Sequence, residues 1–265
     1  MATKKKKTGK TLGPAKLPLS TITKEPMVLV EVGPKHEKHY IHKALLVHHS
    51  DYFRKALQGP WKEAHSGKVV LEDVESAIFN IFEHWLYFGS LPSSTDTESA
   101  VSEWREITQQ LLHHDAESVI LWCIQAYALG ERFQAPKLCD ALIDVCVTLD
   151  VDFVDFDCDN ILPTIEFAFA NIPKDHPILH FLVNRFCEAW EENEDCEWDL
   201  EAQDKFPNEF KKRVTRRLSE MLRAAKNNKK EPKRCYHQHA SDVEKKACSR
   251  AHMVYNELRD YGYFE

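Results

Sequence analysis

The sequence predicts an α+β fold in which helices predominate. Only 8 of the 265 residues are glycine, about half the usual frequency, and folds built from many strands need more tight turns than this. Three short runs rich in β-branched and apolar residues lie before residue 72, whereas helical apolar spacing dominates the rest of the chain. We therefore expect a short three-stranded sheet flanked by helices, followed by an all-α C-terminal extension.

The three predicted strands all lie in the first third of the chain. The first covers 27–32 and ends at the turn signal Gly33-Pro34, and the second, 39–41, follows at hairpin distance. The third predicted strand is 68–71, with the sequence Lys-Val-Val-Leu. Their lengths are those of short strands in a small mixed sheet.

Helices are predicted between and after these strands. Residues 42–49 have helical spacing, and Ser50 is placed to cap a second helix that starts at Asp51. Asp73 is predicted to cap a helix that ends before Gly89. The polar stretch 90–117 contains only a weak helical pattern around Trp104.

The second half of the chain reads as helical throughout. An apolar helical face at 120–128 is predicted to end at Gly130, and Pro136 suits the first turn of the next helix. Three further amphipathic segments are predicted at 163–170, 177–190 and 207–225.

Charge is distributed unevenly along the chain. Six lysines and no acid lie between Lys4 and Lys16, so the remainder carries 29 basic and 42 acidic groups. Such an acidic body repels polyanions, and we expect no nucleic-acid binding unless a local basic patch provides it. The candidate patch consists of Lys211, Lys212, Arg213, Arg216 and Arg217.

Three stretches, in this order, resemble the BTB/POZ domain, specifically its fungal type. The first is His42-Lys43 with Leu46, Ser50 and Phe53, the second is Leu71 and Asp73 through Phe82 and Trp85-Leu86-Tyr87-Phe88-Gly89, and the third is Ala128-Leu129-Gly130-Glu131-Arg132-Phe133 with Leu138. The resemblance covers about 27–149. We expect His42 and Ser50 to satisfy backbone groups at helix ends, and Phe53, Phe82, Trp85 and Tyr87 to fill a core.

The resemblance implies a non-enzymatic protein-interaction module or adaptor whose partners are other proteins. It implies self-association through the domain and recruitment of a cullin scaffold as a ubiquitin-ligase adaptor. Val101-Ser102-Glu103 has the hydrophobic-x-Glu form associated with cullin contact, whereas Met27 stands where many dimeric members have an acid. The predicted organisation is a disordered basic tail at 1–25, a BTB/POZ domain at 26–150 with an insertion at 90–117, a helical extension at 151–232, and a Cys/His-containing segment at 233–265.

The C-terminal segment contains five candidate zinc ligands: Cys235, His237, His239, Cys248 and His252. In an extended chain the first three side chains lie on one face, and Cys248 and His252 lie one helical turn apart. Cysteine and histidine are the usual ligands of tetrahedral structural zinc. The alternative is that Cys248 simply packs beside an apolar helical stripe. No cofactor other than a structural zinc is expected.

Other classes of function are disfavoured by what the sequence does not contain. It has no phosphate-binding glycine loop, no nucleophile elbow and no metalloprotease motif, so we expect no enzymatic activity. Its longest apolar run, 119–124, is much shorter than the ~18 residues that span a bilayer, and no signal peptide is expected. The expected location is the nucleus or the cytoplasm. The competing hypothesis is a zinc-supported nuclear regulator that contacts nucleic acid through the basic C-terminal region.

Overall fold

In the computed structural model, the three predicted strands form one mixed sheet. The structure describes residues 17–92, 97–108, 116–148, 158–192, 204–227, 235–239 and 241–248. The strands are β1 (Met27–Val32), β2 (Glu37–His42) and β3 (Lys68–Leu71), in the order β2-β1-β3. Strand β1 is antiparallel to β2 and parallel to β3. The predicted fold class, a helix-rich α+β chain with a three-stranded sheet, is confirmed.

Helices surround and follow this sheet in the described part of the chain. They are α1 (Leu19–Ile22), α2 (Lys43–His49), α3 (Asp51–Gln58), α4 (Lys62–Ser66), α5 (Ser76–Phe88), α6 (Thr97–Thr108), α7 (Ala116–Arg132), α8 (Pro136–Thr148), α9 (Cys158–Asn171), α10 (Pro177–Glu192) and α11 (Asn208–Lys226). Residues 204–205 and 242–248 are helical as well. Within the described ranges, no helix has the length and apolar character to cross a membrane.

An aromatic cluster joins the three sequence stretches that carried the family resemblance. Phe133, which follows α7, packs within 5.0 Å of Phe53 on α3 and 5.1 Å of Phe82 on α5, measured between ring centroids. Ser50 performs the predicted capping role, because its Oγ accepts a hydrogen bond from the Phe53 backbone N–H at 3.2 Å. The same Oγ donates to the Phe133 carbonyl at 2.5 Å. Segments more than 80 residues apart therefore share one buried core.

Two predicted helix boundaries are wrong, and each has a tertiary cause. Helix α5 begins at Ser76, and the carboxylate of Asp73 instead accepts two hydrogen bonds from Arg132, at 2.8 and 2.9 Å. The Arg132 guanidinium holds the pKa of Asp73 below its usual range. Gly130 does not end α7, which continues to Arg132. A Cβ at Gly130 would lie 2.8 Å from Cys139 Sγ, so the glycine allows α7 and α8 to approach closely.

Two predicted side-chain roles are also wrong. His42 makes no side-chain capping bond to α2, and its Nδ1 instead lies 3.0 Å from the Tyr87 hydroxyl. Tyr87 is 42% exposed and does not fill the core, whereas Phe53, Phe82 and Trp85 are buried as expected. Tyr87 lies at the C-terminal end of α5, where its ring reaches the surface and packs edge-on against His42, with centroids 5.9 Å apart.

The helices after the sheet continue the same core. Helix α7 packs against α5, α8 and α9, and α10 packs against α11. Trp104 of α6 is fully buried, and its indole N–H donates to the Pro92 carbonyl at 3.3 Å. The weak helical pattern in 90–117 thus forms a helix that packs on α5. Of the tail predicted to be disordered, residues 19–22 form α1, and 1–16 lie outside the described residues.

Candidate functional site

The structure brings together four of the five predicted zinc ligands. Residues 235–239 run without helix or strand structure, and their odd-numbered side chains converge. Cys235 Sγ lies 3.2 Å from His239 Nε2 and 3.5 Å from Cys248 Sγ. His237 Nδ1 lies 3.2 Å from Cys248 Sγ and 3.9 Å from Cys235 Sγ. The fifth candidate, His252, lies outside the described residues.

Cys248 belongs to the helical residues 242–248 and reaches this cluster from there. The Ser241 hydroxyl caps that helix by accepting a hydrogen bond from the Glu244 N–H at 3.2 Å. The helix itself buries almost nothing: residues 241–247 are exposed, and Val243 is 78% exposed. Cys248 is its one partly buried side chain among the described residues.

Two acidic side chains of α8 lie beside the Cys/His cluster. Asp144 Oδ1 lies 3.2 Å from His237 Nε2, on the side of the ring that faces away from the two sulfur atoms. Burial alone would lower the pKa of His237, but Asp144 raises it to about 9. Burial and the neighbouring Cys235 thiol raise the pKa of Cys248 to about 12. Burial also raises the pKa of Asp140, one helical turn before Asp144.

The even-numbered residues of the same segment contact the body of the protein. The Tyr236 hydroxyl accepts a hydrogen bond from Asn184 Nδ2 at 2.9 Å, and its ring packs on Phe181 at 5.3 Å between centroids. Gln238 Nε2 contacts His176 Nε2. His176 is itself buried and lies within hydrogen-bonding distance of the Tyr127 hydroxyl. The segment therefore alternates between the Cys/His cluster on one side and α7 and α10 on the other.

The basic patch on α11 is only partly available to a ligand. Arg217 is 6% exposed and lies 4.0 Å from Glu220. Arg213 donates to Glu209 at 3.1 Å and to the Lys174 carbonyl at 2.6 Å. Of the five basic residues, these two face neighbouring elements instead of solvent. The nucleic-acid hypothesis gains no support from this arrangement.

The outer face of the sheet is a candidate docking surface. Met27, Tyr40 and Val70 are 49%, 56% and 42% exposed, although all three lie on sheet strands. Tyr40 lies opposite Leu29 in the β1–β2 register, and Val70 lies beside Glu31 in the β1–β3 register. Side chains at these positions share the face of the sheet that the helices leave uncovered.

A second exposed surface lies where α5 ends against α6. Phe88 is 62% exposed, and its ring stacks on His84 with centroids 4.5 Å apart. Burial lowers the pKa of His84, and the nearby Glu103 carboxylate opposes that shift. Glu103 is the acidic residue of the hydrophobic-x-Glu tripeptide, and it is exposed on α6. The side chain of Val101 lies outside the described residues.

A comparison against protein families agrees with the fold, that is, with the β2-β1-β3 sheet, the helix pair around Ser50 and the buried aromatic cluster. Residues 27–116 match the BTB/POZ domain. This match supports a protein-interaction module with protein partners and a general capacity for self-association in this part of the chain. A search of curated proteins finds no match to the chain. The BTB/POZ match ends before most of α7, whereas the sequence motifs extended the resemblance to 149. That the domain is of the fungal type stays a prediction from those motifs.

Sequence reasoning missed several residues that shape these surfaces. Asp144 is 93 positions before His237, and no local pattern links the two. Tyr236 and Gln238 alternate with the predicted ligands, so their spacing could have indicated a segment with two differently occupied faces. The partly buried His84 and the exposed Phe88, four residues apart on α5, were detectable as a helical neighbour pair.

Proposed function

We propose that this chain is a non-enzymatic adaptor that binds other polypeptides through its BTB/POZ domain. The observation that carries the proposal is the family match over 27–116. The buried residues that joined the three motifs serve packing, as the Ser50 to Phe133 bond and the aromatic cluster illustrate. Other apolar side chains of this part of the chain are exposed, and Tyr40 and Phe88 are two of them. These exposed aromatic side chains are of the type that anchors protein interfaces.

A finer proposal is that one partner is a cullin scaffold, which contacts the surface formed by Phe88, His84 and Glu103. Two observations support this choice of surface. Glu103 belongs to the tripeptide that resembles the cullin-recruiting motif, and it lies near His84, on which Phe88 stacks. An exposed aromatic ring next to a carboxylate provides both an apolar anchor and a charged group at the rim.

The test uses the purified full-length chain and a purified cullin N-terminal domain. Isothermal titration calorimetry should detect saturable binding. Phe88→Ala should weaken it by at least about 10-fold, because truncating an interface anchor commonly removes more than 1 kcal/mol. Glu103→Lys should weaken it as well. Trp61→Ala is the matched control, since it removes a similarly exposed aromatic side chain that lies outside both candidate surfaces.

The outcomes separate the two levels of the proposal. Equal binding by the wild-type chain and Phe88→Ala would show that this surface is wrong. Absence of cullin binding would remove the ligase-adaptor role. The broader adaptor proposal would then depend on sedimentation analysis and on partners recovered from the native cell. If the chain stays monomeric and no protein copurifies with it in stoichiometric amount, the adaptor proposal is contradicted.

A further inference from the structure

We propose that Cys235, His237, His239 and Cys248 bind one zinc ion, which fastens the C-terminal segment to helices α8 and α10. The site is independent of the adaptor function proposed above. It is formed by residues 235–239, which are neither helix nor strand and supply three ligands, and by Cys248 of the helical residues 242–248, which supplies the fourth. Two thiolates and two neutral imidazoles around Zn²⁺ give a site with no net charge.

Four distances between the ligand atoms are close to those of a tetrahedral site. Zinc bonds of about 2.3 Å to sulfur and 2.0–2.1 Å to nitrogen imply separations of about 3.8 Å between two sulfur atoms and about 3.5 Å between sulfur and nitrogen. The sulfur atoms of Cys235 and Cys248 are 3.5 Å apart. The distance from Cys235 Sγ to His239 Nε2 and the distance from Cys248 Sγ to His237 Nδ1 are both 3.2 Å, and Cys235 Sγ lies 3.9 Å from His237 Nδ1. The ligand atoms of Cys235, His239 and Cys248 all lie within 4.8 Å of one another, and His237 stands outside this group of three.

These separations do not fit a disulfide as well as they fit a metal site. A disulfide requires its sulfur atoms about 2.05 Å apart, and the two sulfur atoms here are 3.5 Å apart with two imidazole nitrogens beside them. Histidine nitrogens that converge on a pair of thiols have no role in a disulfide. They are the expected partners of a shared cation.

Asp144 gives the site an orienting carboxylate. A histidine that binds metal through one ring nitrogen usually directs its other nitrogen to a carboxylate or carbonyl, which fixes the orientation of the ring. His237 has this arrangement, since Nδ1 faces the sulfur atoms and Nε2 lies 3.2 Å from Asp144 Oδ1. Asp144 is therefore a positioning residue, and it ties the site directly to α8.

The zinc ion would thus add a second attachment between the segment 235–248 and the rest of the protein. Tyr236 and Gln238 attach one side to Asn184 and His176, on α10 and just before it. The odd-numbered side chains close the other side around the metal, next to Asp144. Removal of the metal would leave the Tyr236, Gln238 and His237–Asp144 contacts at the segment but would release Cys248 from Cys235 and the two histidines.

The test measures metal in the purified full-length chain and maps the segment by hydrogen exchange. Elemental analysis should find about one zinc per chain. A cobalt-substituted protein should show the visible absorption of a tetrahedral thiolate site. Cys235→Ser and His239→Ala should each lose most of the metal, whereas His65→Ala, an exposed histidine on α4, should retain it. Zinc removal by a chelator should speed amide exchange in 235–248 but not in β1.

Asp144 provides a second readout that does not depend on loss of a ligand. Asp144→Asn should weaken zinc affinity about 10- to 100-fold in a competition assay with a chromophoric chelator. Glu166→Gln, which changes an exposed carboxylate on α9, should leave the affinity unchanged. Three results would overturn the proposal: no stoichiometric zinc after reconstitution, full zinc content in Cys235→Ser, or a Cys235–Cys248 disulfide in protein kept under reducing conditions.

Discussion

Replacement of Ser50 by alanine tests whether one hydroxyl joins distant parts of the hydrophobic core. Ser50 is 1% exposed and lies between α2 and α3. Its Oγ accepts from the Phe53 N–H and donates to the Phe133 carbonyl, which is 83 positions away. Ser50→Ala removes both bonds at once.

The expected destabilisation follows from these two bonds. Loss of a serine N-cap costs about 1 kcal/mol, and loss of a buried hydrogen bond costs about another 1 to 1.5 kcal/mol. The Phe133 carbonyl keeps the Tyr52 N–H at 3.3 Å, so it is not left without a donor. We therefore expect the free energy of unfolding to fall by about 2 to 2.5 kcal/mol.

Urea denaturation followed by circular dichroism measures this change. With a slope of roughly 3 kcal/mol per molar, the midpoint should fall by about 0.7 to 0.8 M. Ser219→Ala is the matched control, since its hydroxyl donates to the Thr215 carbonyl on the exposed side of α11. That change should stay within about 0.5 kcal/mol of the wild-type value. A loss below 0.5 kcal/mol in Ser50→Ala, or an equal loss in both variants, would refute the argument.

Three further predictions concern stability. Burial lowers the pKa of His49 to about 4, so the folded chain resists protonation there. The free energy of unfolding should therefore fall by roughly 1 to 2 kcal/mol as the pH drops from about 6.5 to 4, after allowance for partial solvent access. His49→Gln should flatten that part of the pH profile. Gly130→Ala should cost about 1 to 3 kcal/mol in urea melts, because its Cβ would collide with Cys139 Sγ, and a second change, Cys139→Ala, should recover part of the loss; no recovery would contradict this cause. Trp104→Ala should cost about 3 to 5 kcal/mol, and a loss under 1 kcal/mol would mean that α6 does not stabilise the domain.

Much of the fold was predictable because local patterns and tertiary structure agree. The strand at 68–71 and the cap at Ser50 depend on residue type and spacing over a few positions, and both are confirmed. Gly89 ends α5 in the left-handed conformation that glycine adopts easily. The Gly130 prediction used the same rule and was wrong, since that glycine makes room for a neighbouring helix.

The candidate metal centre was predictable only in part. Alternate spacing placed Cys235, His237 and His239 on one face of an extended segment, and the structure brings them to Cys248. The sequence could not show that Asp144 would lie behind His237, because this contact depends on how the last segment crosses α8.

By itself, the sequence determined the strands, most helices and the cysteine and histidine residues of the candidate metal centre. Each depends on interactions within a few residues along the chain, where backbone geometry limits which side chains can meet. Only the tertiary structure decided that Arg132 binds Asp73, that Phe133 meets Ser50 and that Asp144 faces His237. Those pairs are far apart in sequence, so their contact depends on the packing of whole helices and not on any local preference.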